Sequence, residues 1–478
     1  MTLPGPVVIN RDAPPSRTAP TNTGVWFAAG FADNGPSDAA VKVRSLKAFK
    51  NAFGDRVTSG SLCDSIETFF REGGAEVYIG RVVGPNPVSA THTFADSASA
   101  NTMIVTAKYP GGWGNGLNVE VASATSGSFK LIVTHDDDAT IVEESPAYTT
   151  VALAEDWESE YVIVTDSATS ALDPATATAS LSGGLDDYAN ATDTQWQAAL
   201  DLFVADLGPG QVSFPGRTTT QAHADLLEHA EDTNRIALLD AADTATVGTL
   251  TAAAAAAGAL VGASRAAIFA PWAIIPGIAG GTTRTVPYSA VQAGLEARRD
   301  ASGLNPNVPA AGVNGQPVFV TDLAEVWSDD DRETLNDGGV NVARAVYGGI
   351  RTYGYRTLVS PDTDPNNWQL GNSRLRMAIT AKAEAIGERY VLGQIDGKGR
   401  AAAAFAGELT GMLLGYYESG GLFGDTPESA FVVDVGVAVN TPQTIAAGDL
   451  RAVIAVRMSP MAELVVIEIV KTPITESI

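Results

Sequence analysis

Between residues 196 and 269 the sequence alternates between two hydrophobic periods, and nothing else in the chain constrains its fold as much. Helical spacing at Trp196, Leu200 and Phe203 gives way to an apolar run at 211–214. A helical stretch at 221–231, a run at 235–240, an alanine-rich helix near 251–264 and a run at 266–269 follow. Strands separated by helices of this length return parallel to one another, with the helices covering the faces of the sheet. The same rhythm opens the chain. A strand at 25–30 precedes a helix capped by Ser45 that presents Leu46, Phe49 and Phe53 and is stopped by Gly54. A second helix opens at Ser61 with Asp64 three residues on, as in a capping box. It presents Ile66, Phe69 and Phe70 and stops at Gly73-Gly74 before a strand at 77–79. The expected fold class is α/β with a mainly parallel sheet.

From about Pro85 to Leu185 the pattern changes to short β runs (103–107, 117–122, 129–134, 161–165) separated by turn clusters such as 111–116, which predicts an inserted β-sandwich or barrel. Two further helices are predicted, through Leu375, Ile379, Ile386 and Tyr390, and through Phe405, Leu409, Leu413 and Tyr416. Two β runs, 451–458 and 463–471, close the chain as a terminal hairpin or an exchanged strand. Residues 1–22 are Pro-rich apart from Val7, Val8 and Ile9 and read as an extended arm. The stretch 249–281 holds Arg265, Pro271 and Pro276, so it reads as a buried helix and strand and no membrane span is expected.

Charge narrows the function. With 55 acidic and 30 basic residues the chain carries a formal charge of -25, which opposes binding to phosphate backbones and excludes nucleic acid as a main partner. The single cysteine, Cys63, cannot form an intramolecular disulfide and reads as a core residue. No secretory signal pattern opens the chain, so a reducing cytoplasm is the expected folding compartment.

Catalytic and metal patterns fail on spacing. No serine has glycine two residues away on both sides, as a nucleophile elbow requires. His223 and His229 are six apart, where a helical zinc pair needs four, and these two together with His92 and His135 read as solvated. The Gly393–Gly399 segment is one residue short of a phosphate loop. In the 362–373 segment, Asn367 and Ser373 stand where a calcium loop needs glycine and glutamate. The runs Asp136-Asp137-Asp138 and Asp329-Asp330-Asp331 read as solvated turns or helix starts.

The distinctive residues are not catalytic ones. The segment 30–81, with Gly35-Pro36, Phe53-Gly54, Phe69-Phe70, Gly73-Gly74 and Arg81, resembles the start of contractile-phage tail sheath proteins. Pro110-Gly111-Gly112-Trp113-Gly114-Asn115 resembles a signature of that family's β domain. Pro271-Trp272 with Val286-Pro287, Ser289 and Ala293-Gly294, then Leu335-Asn336 with Gly339-Val340-Asn341 and Arg356-Thr357, and finally Pro460 with Glu463, resemble further family motifs in the family's order. Ala297-Arg298-Arg299-Asp300 and Tyr353-Gly354-Tyr355 depart from the family pattern.

The resemblance implies a subtilisin-like α/β core without protease activity, an outward β domain, and a C-terminal α+β domain beside an inner tube. It divides the chain into an arm (1–22), a core in two parts (23–84 and 186–345), the inserted β domain (85–185), a C-terminal domain (346–460) and a C-terminal strand arm (461–478). It implies a helical homo-oligomer that contracts around an inner tail tube protein, bounded by baseplate and tail terminator proteins. Such a subunit belongs to a virion tail assembled in the host cytoplasm and uses no cofactor, metal, nucleic acid or membrane insertion. Inter-subunit strand exchange is expected through Val7, Val8 and Ile9 and through Val465, Ile467 and Ile469, because unpaired apolar strands gain main-chain hydrogen bonds on a neighbour's sheet. The alternatives are another self-assembling shell, such as an S-layer or capsid subunit, and a subtilisin-fold hydrolase.

Overall fold

The computed structural model describes residues 21–469, so Val7, Val8 and Ile9 lie outside the described residues. Eight strands form the core sheet in the order Gly349–Thr352, Val340–Val346, Ala266–Ala270, Ile236–Asp240, Gln211–Ser213, Trp26–Phe31, Val77–Val82, Val41–Val43. The six inner strands are parallel and the two edge strands antiparallel, as the alternating pattern predicts.

Side chains on a strand alternate in direction, and here the alternation divides the core in two. Trp26, Ala28, Ile236, Leu238, Ala267 and Phe269 enter one hydrophobic layer, with Phe69 from helix Leu62–Arg71 and Val291 and Leu295 from helix Tyr288–Ala301. Phe27, Ala29, Ala237, Leu239, Ala266 and Ile268 enter the other, under helices Asp193–Asp201, Thr220–Asp232 and Val247–Gly258. Each fully buried Phe, Leu or Ile contributes about 1.5–3 kcal/mol of transfer free energy. Strands covered on both faces need no polar side, which is why 236–240 and 266–270 are apolar almost throughout.

Local expectations fare unevenly. Ser45 caps its helix by accepting from Ala48 N, and Gly54 ends it at φ +75. Ser61 stands at the predicted N-cap but makes no cap bond. Its hydroxyl donates instead to Pro215 O at 2.9 Å, joining the helix to the loop after Gln211–Ser213. The alanine-rich helix starts earlier than expected, because Thr246 and Thr249 form a capping box ahead of Val247–Gly258. Cys63 is buried in the core, and burial pushes its thiol up to about 12. Asp329, Asp330 and Asp331 occupy the first turn of helix Asp329–Asp337 behind the Ser328 cap. The solvated reading of the histidines is wrong for three of them: His223 and His135 are buried, and His229 is largely covered against Arg235. His223 pairs with the Asp240 carbonyl and His135 stacks on Trp113, so each found a polar or aromatic partner that spacing alone does not reveal.

The insertion is a sandwich. A four-stranded sheet (Ala177–Ser180, Leu117–Ser123, Phe129–His135, Val142–Glu144) faces a three-stranded one (Thr91–Ala95, Asn101–Ala107, Val162–Asp166) across its own apolar core. Its two ends meet: Gly84 N donates to Asp186 O at 2.8 Å. Arg81, fully buried, fixes the joint, donating to Ala32 O at 3.0 Å, Gly35 O at 2.8 Å, Pro110 O at 2.8 Å and the Asp186 carboxylate at 2.7 Å.

Toward the C-terminus, helices Leu370–Gly387 and Arg400–Glu418 pack with Phe431 and Leu422 around a small fourth core. The strand within 451–458 is Val453–Val456. It pairs with Phe431–Asp434 and not with the next β run, so the terminal hairpin does not form among the described residues. No helix among the described residues is long and apolar enough to cross a membrane.

Candidate functional site

Two of the buried polar clusters could in principle hold a reactive or ligating group, and both are sealed. At the end of strand Ile236–Asp240, the Asp240 carboxylate accepts from Ser289 N at 2.9 Å, Ser289 Oγ at 2.6 Å and Gly216 N at 3.1 Å. Burial pushes this carboxyl up to about 6 against those stabilising bonds. His223 Nε2 reaches the Asp240 backbone carbonyl at 3.0 Å rather than the serine. A serine nucleophile needs a base on its hydroxyl and an open approach. Ser289 has a carboxylate there instead, and its side chain is wholly buried. The cluster therefore ties helix Tyr288–Ala301 to the sheet.

The second cluster joins the core to the C-terminal helices. Arg374, on Leu370–Gly387, pairs with Glu296 at 2.6 Å and Asp300 at 2.8 Å, both on Tyr288–Ala301. Tyr355 Oη donates to Glu296 at 2.8 Å, Gln292 Nε2 donates at 2.7 Å, and Thr23 Oγ1 closes on Asp300 at 2.6 Å. Burial alone would lower the Arg374 guanidinium, but Asp300 and Glu296 push it further up and keep it charged. Among the described residues no three His, Cys, Asp or Glu side chains converge as metal ligands would.

What the structure leaves open is main chain and apolar surface. The segment after Val453–Val456 is clamped at its root. Asn307 Nδ2 donates to Ser459 O at 2.7 Å, the Gln369 side chain exchanges bonds with Met461 N and O at 3.1 and 3.2 Å, and Arg356 grips Glu463 with two bonds at 2.9 and 2.6 Å. Beyond the clamp Val465, Ile467 and Ile469 form no strand and stand 74%, 79% and 90% exposed, with Leu464 and Val466 exposed beside them. Nearby, the two-stranded sheet Phe431–Asp434/Val453–Val456 has no further strand on either edge among the described residues. It flanks a cavity of about 610 Å³ lined by Phe405, Leu409, Val453 and Ile454. An exposed apolar β-forming run and an unfinished sheet therefore occur on one chain.

Of the predicted exchange residues, the structure places the C-terminal three together on this run and the N-terminal three lie outside the described residues. The clamp residues Arg356, Gln369 and Asn307 escaped sequence reasoning, because they lie far from the segment they hold. The edge hairpin Val340–Val346/Gly349–Thr352 escaped as well, although Tyr347-Gly348 between two β runs is a hairpin signal.

With this geometry in place, comparison with known proteins is decisive for the fold. Residues 89–187 match the family model of the phage tail sheath protein β-sandwich domain. The sheath tail protein of Listeria innocua superimposes over 88% of this chain and 90% of its own at 16% identity, with a TM-score of 0.63. The chain has the sheath fold. The sheath tail protein of Desulfitobacterium hafniense covers 90% of the chain and 93% of its own at 14% identity, TM-score 0.58. The anti-feeding prophage helical sheath in its contracted state covers 99% and 100% at 16% identity, TM-score 0.57. No curated protein sequence matches the chain. The matched segment contains every strand of the sandwich, from Thr91–Ala95 to Ala177–Ser180.

Proposed function

We propose that the chain is the structural subunit of a contractile tail sheath, polymerising as a helical cylinder around an inner tail tube and contracting to drive that tube through a target envelope. The observation that carries this reading is the correspondence of the whole chain, 99% of it, with a sheath seen in a contracted helical state. In this reading the core is subtilisin-like and spans 23–84 and 186–345, with the sheet running on through Thr352. The sandwich at 85–185 points outward, and residues 346–460 lie beside the inner tube protein. Residues 1–22 and 461–478 are exchanged arms. Val465, Ile467 and Ile469 add as a strand to the unfinished sheet of a neighbour, and Val7, Val8 and Ile9 do so from the other arm. The clamp at Glu463 is the fixed point about which connected subunits rotate during contraction.

Baseplate and tail terminator proteins bound the polymer, the assembly forms in a host cytoplasm as part of a virion tail, and the work is done by repeated interfaces rather than by catalysis. The sealing of Ser289 supports the structural role. Negative-stain microscopy of the purified chain tests the reading: hollow cylinders are expected, and planar lattices or permanent monomers would overturn it.

A further inference from the structure

The edge hairpin carries an arrangement that the fold does not need. Arg344 and Arg351 are directly opposite on Val340–Val346 and Gly349–Thr352, so both guanidinium groups leave the same face of the sheet. Like charges at such a pair repel. Both line a cavity of about 710 Å³ with Arg332, and in all three side chains Nε is buried without a hydrogen-bond partner. Three carboxylates share the cavity: Asp329 bonds Arg332 and lies 3.9 Å from Arg344, Glu463 at the root of the C-terminal run is held by Arg356, and Glu333 is exposed. Arg351 has no ion pair among the described residues. Arg344 stacks on Tyr353 at 3.8 Å, and Tyr353 is half exposed. At the tip Tyr347 is 96% exposed in a left-handed conformation, φ +50, where Asn or Asp would fit better. An arginine without an ion pair beside a second arginine, with exposed tyrosines next to them, is the composition that protein-docking surfaces favour.

The chain itself carries the complementary surface. Helices Asp193–Asp201 and Thr220–Asp232 form a groove of about 370 Å³ lined by Asp201, Asp225, Glu228 and Asp232. Neighbouring Asp193 and Glu231 are paired with Arg217 and Arg265, whereas none of these four has an ion pair among the described residues. Burial, with Asp193 and Asp201 beside it, holds the Asp225 carboxyl above its ordinary value. These helices cover the middle of the sheet and the hairpin is its edge, so the two surfaces cannot meet within one molecule.

We infer that the Arg344/Arg351 face of the edge hairpin docks on the acidic groove between helices Asp193–Asp201 and Thr220–Asp232 of a second copy of this chain. Two different patches in contact make a head-to-tail interface, which does not close as a two-fold dimer and gives the open helix of the proposed role when its rotation does not close a ring. The inference rests on the polymerising role proposed above and adds to it the charge code of one contact, beside the root of the C-terminal arm.

A charge-reversal cycle tests it, read as sedimentable polymer at about 0.1 M salt, where charges in contact still act. Wild-type chain that never polymerises would overturn the sheath reading and this inference with it. Given wild-type polymer, R344E/R351E and D225R/E228R should each lose it by about tenfold or more, with circular dichroism unchanged. Mixing the two variants, or combining all four substitutions in one chain, should restore it. Undiminished polymer from R344E/R351E would overturn the inference. So would two folded, defective variants that fail to rescue each other, a result that places the partner of the hairpin on another protein such as the inner tube. If R344E/R351E misfolds, D225R/E228R with Arg344 and Arg351 intact still decides, because normal polymer from it excludes the groove.

Discussion

The sandwich and the C-terminal region are both β-containing additions to the same core, and they differ in completeness. The sandwich closes two sheets over sixteen fully or nearly buried apolar residues of its own, and its strands Leu117–Ser123 and Phe129–His135 alternate buried with less buried positions. The C-terminal region has two strands of four residues, two open edges, and a run from Leu464 to Ile469 whose side chains face solvent. Fewer than three strands rarely stand alone in water. One region closes both its sheets with its own chain; the other rests its two strands on helices Leu370–Gly387 and Arg400–Glu418 and leaves both sheet edges open among the described residues, where the proposed strand addition would act.

The comparison breaks most sharply at the tail. I467P/I469P should reduce polymer by roughly tenfold or more, a difference of about 1.4 kcal/mol or above per contact, while the melting transition of the monomer stays in place. Microscopy and sedimentation check it, and normal cylinders would remove the strand-addition role from this arm. Within the chain, the largest loss of stability is expected where the core holds the C-terminal helices. R374M leaves Glu296 and Asp300 buried without their cation and should cost about 3–5 kcal/mol, measured by urea denaturation.

A smaller effect separates the core from both additions by pH. Burial, and then the charge of Arg235, lowers His229 to about 3. The folded value lies below the unfolded one, so the native state holds fewer protons, and stability present above pH ~6.5 is lost as pH falls toward 3. Between pH 7 and 5 this group should remove about 1–2 kcal/mol. H229Q, which still offers an acceptor to Arg235, should flatten that slope in urea titrations. The smallest effect is reserved for the finished region. Replacing 85–185 by a short Gly/Ser bridge should leave polymer yield and cylinder length unchanged, and loss of cylinders from a folded deletion would show that the sandwich carries assembly contacts.

Much of the core was legible because its signals are local. The apolar runs at 235–240 and 266–269 and the Ser45 and Gly54 caps each state their structure within a few residues. The run through Val465, Ile467 and Ile469 reads as β-forming but forms no strand among the described residues, and sequence could not say that 451–458 would pair with Phe431–Asp434 instead. Pairing over twenty residues is decided by which sheet edge lies near, not by propensity. His223 and Ser61 were misread for the same reason. Their partners, the Asp240 carbonyl and Pro215 O, come from distant segments. The Arg344/Arg351 face was invisible because its meaning lies in cross-strand register, which a one-dimensional spacing does not contain.

The joint beneath the sandwich has one more implication. Because Gly84 and Asp186 are a single hydrogen bond apart and Arg81 anchors both sides from within the core, the insertion occupies something close to a socket. A guest domain with adjacent termini that replaces 85–185 keeps the Asp186 carboxylate on Arg81 and needs only to bring one carbonyl there in place of Pro110 O. Enzymes, fluorophores or binding modules mounted at this joint are therefore expected to leave the sheet beneath undisturbed, one guest per chain.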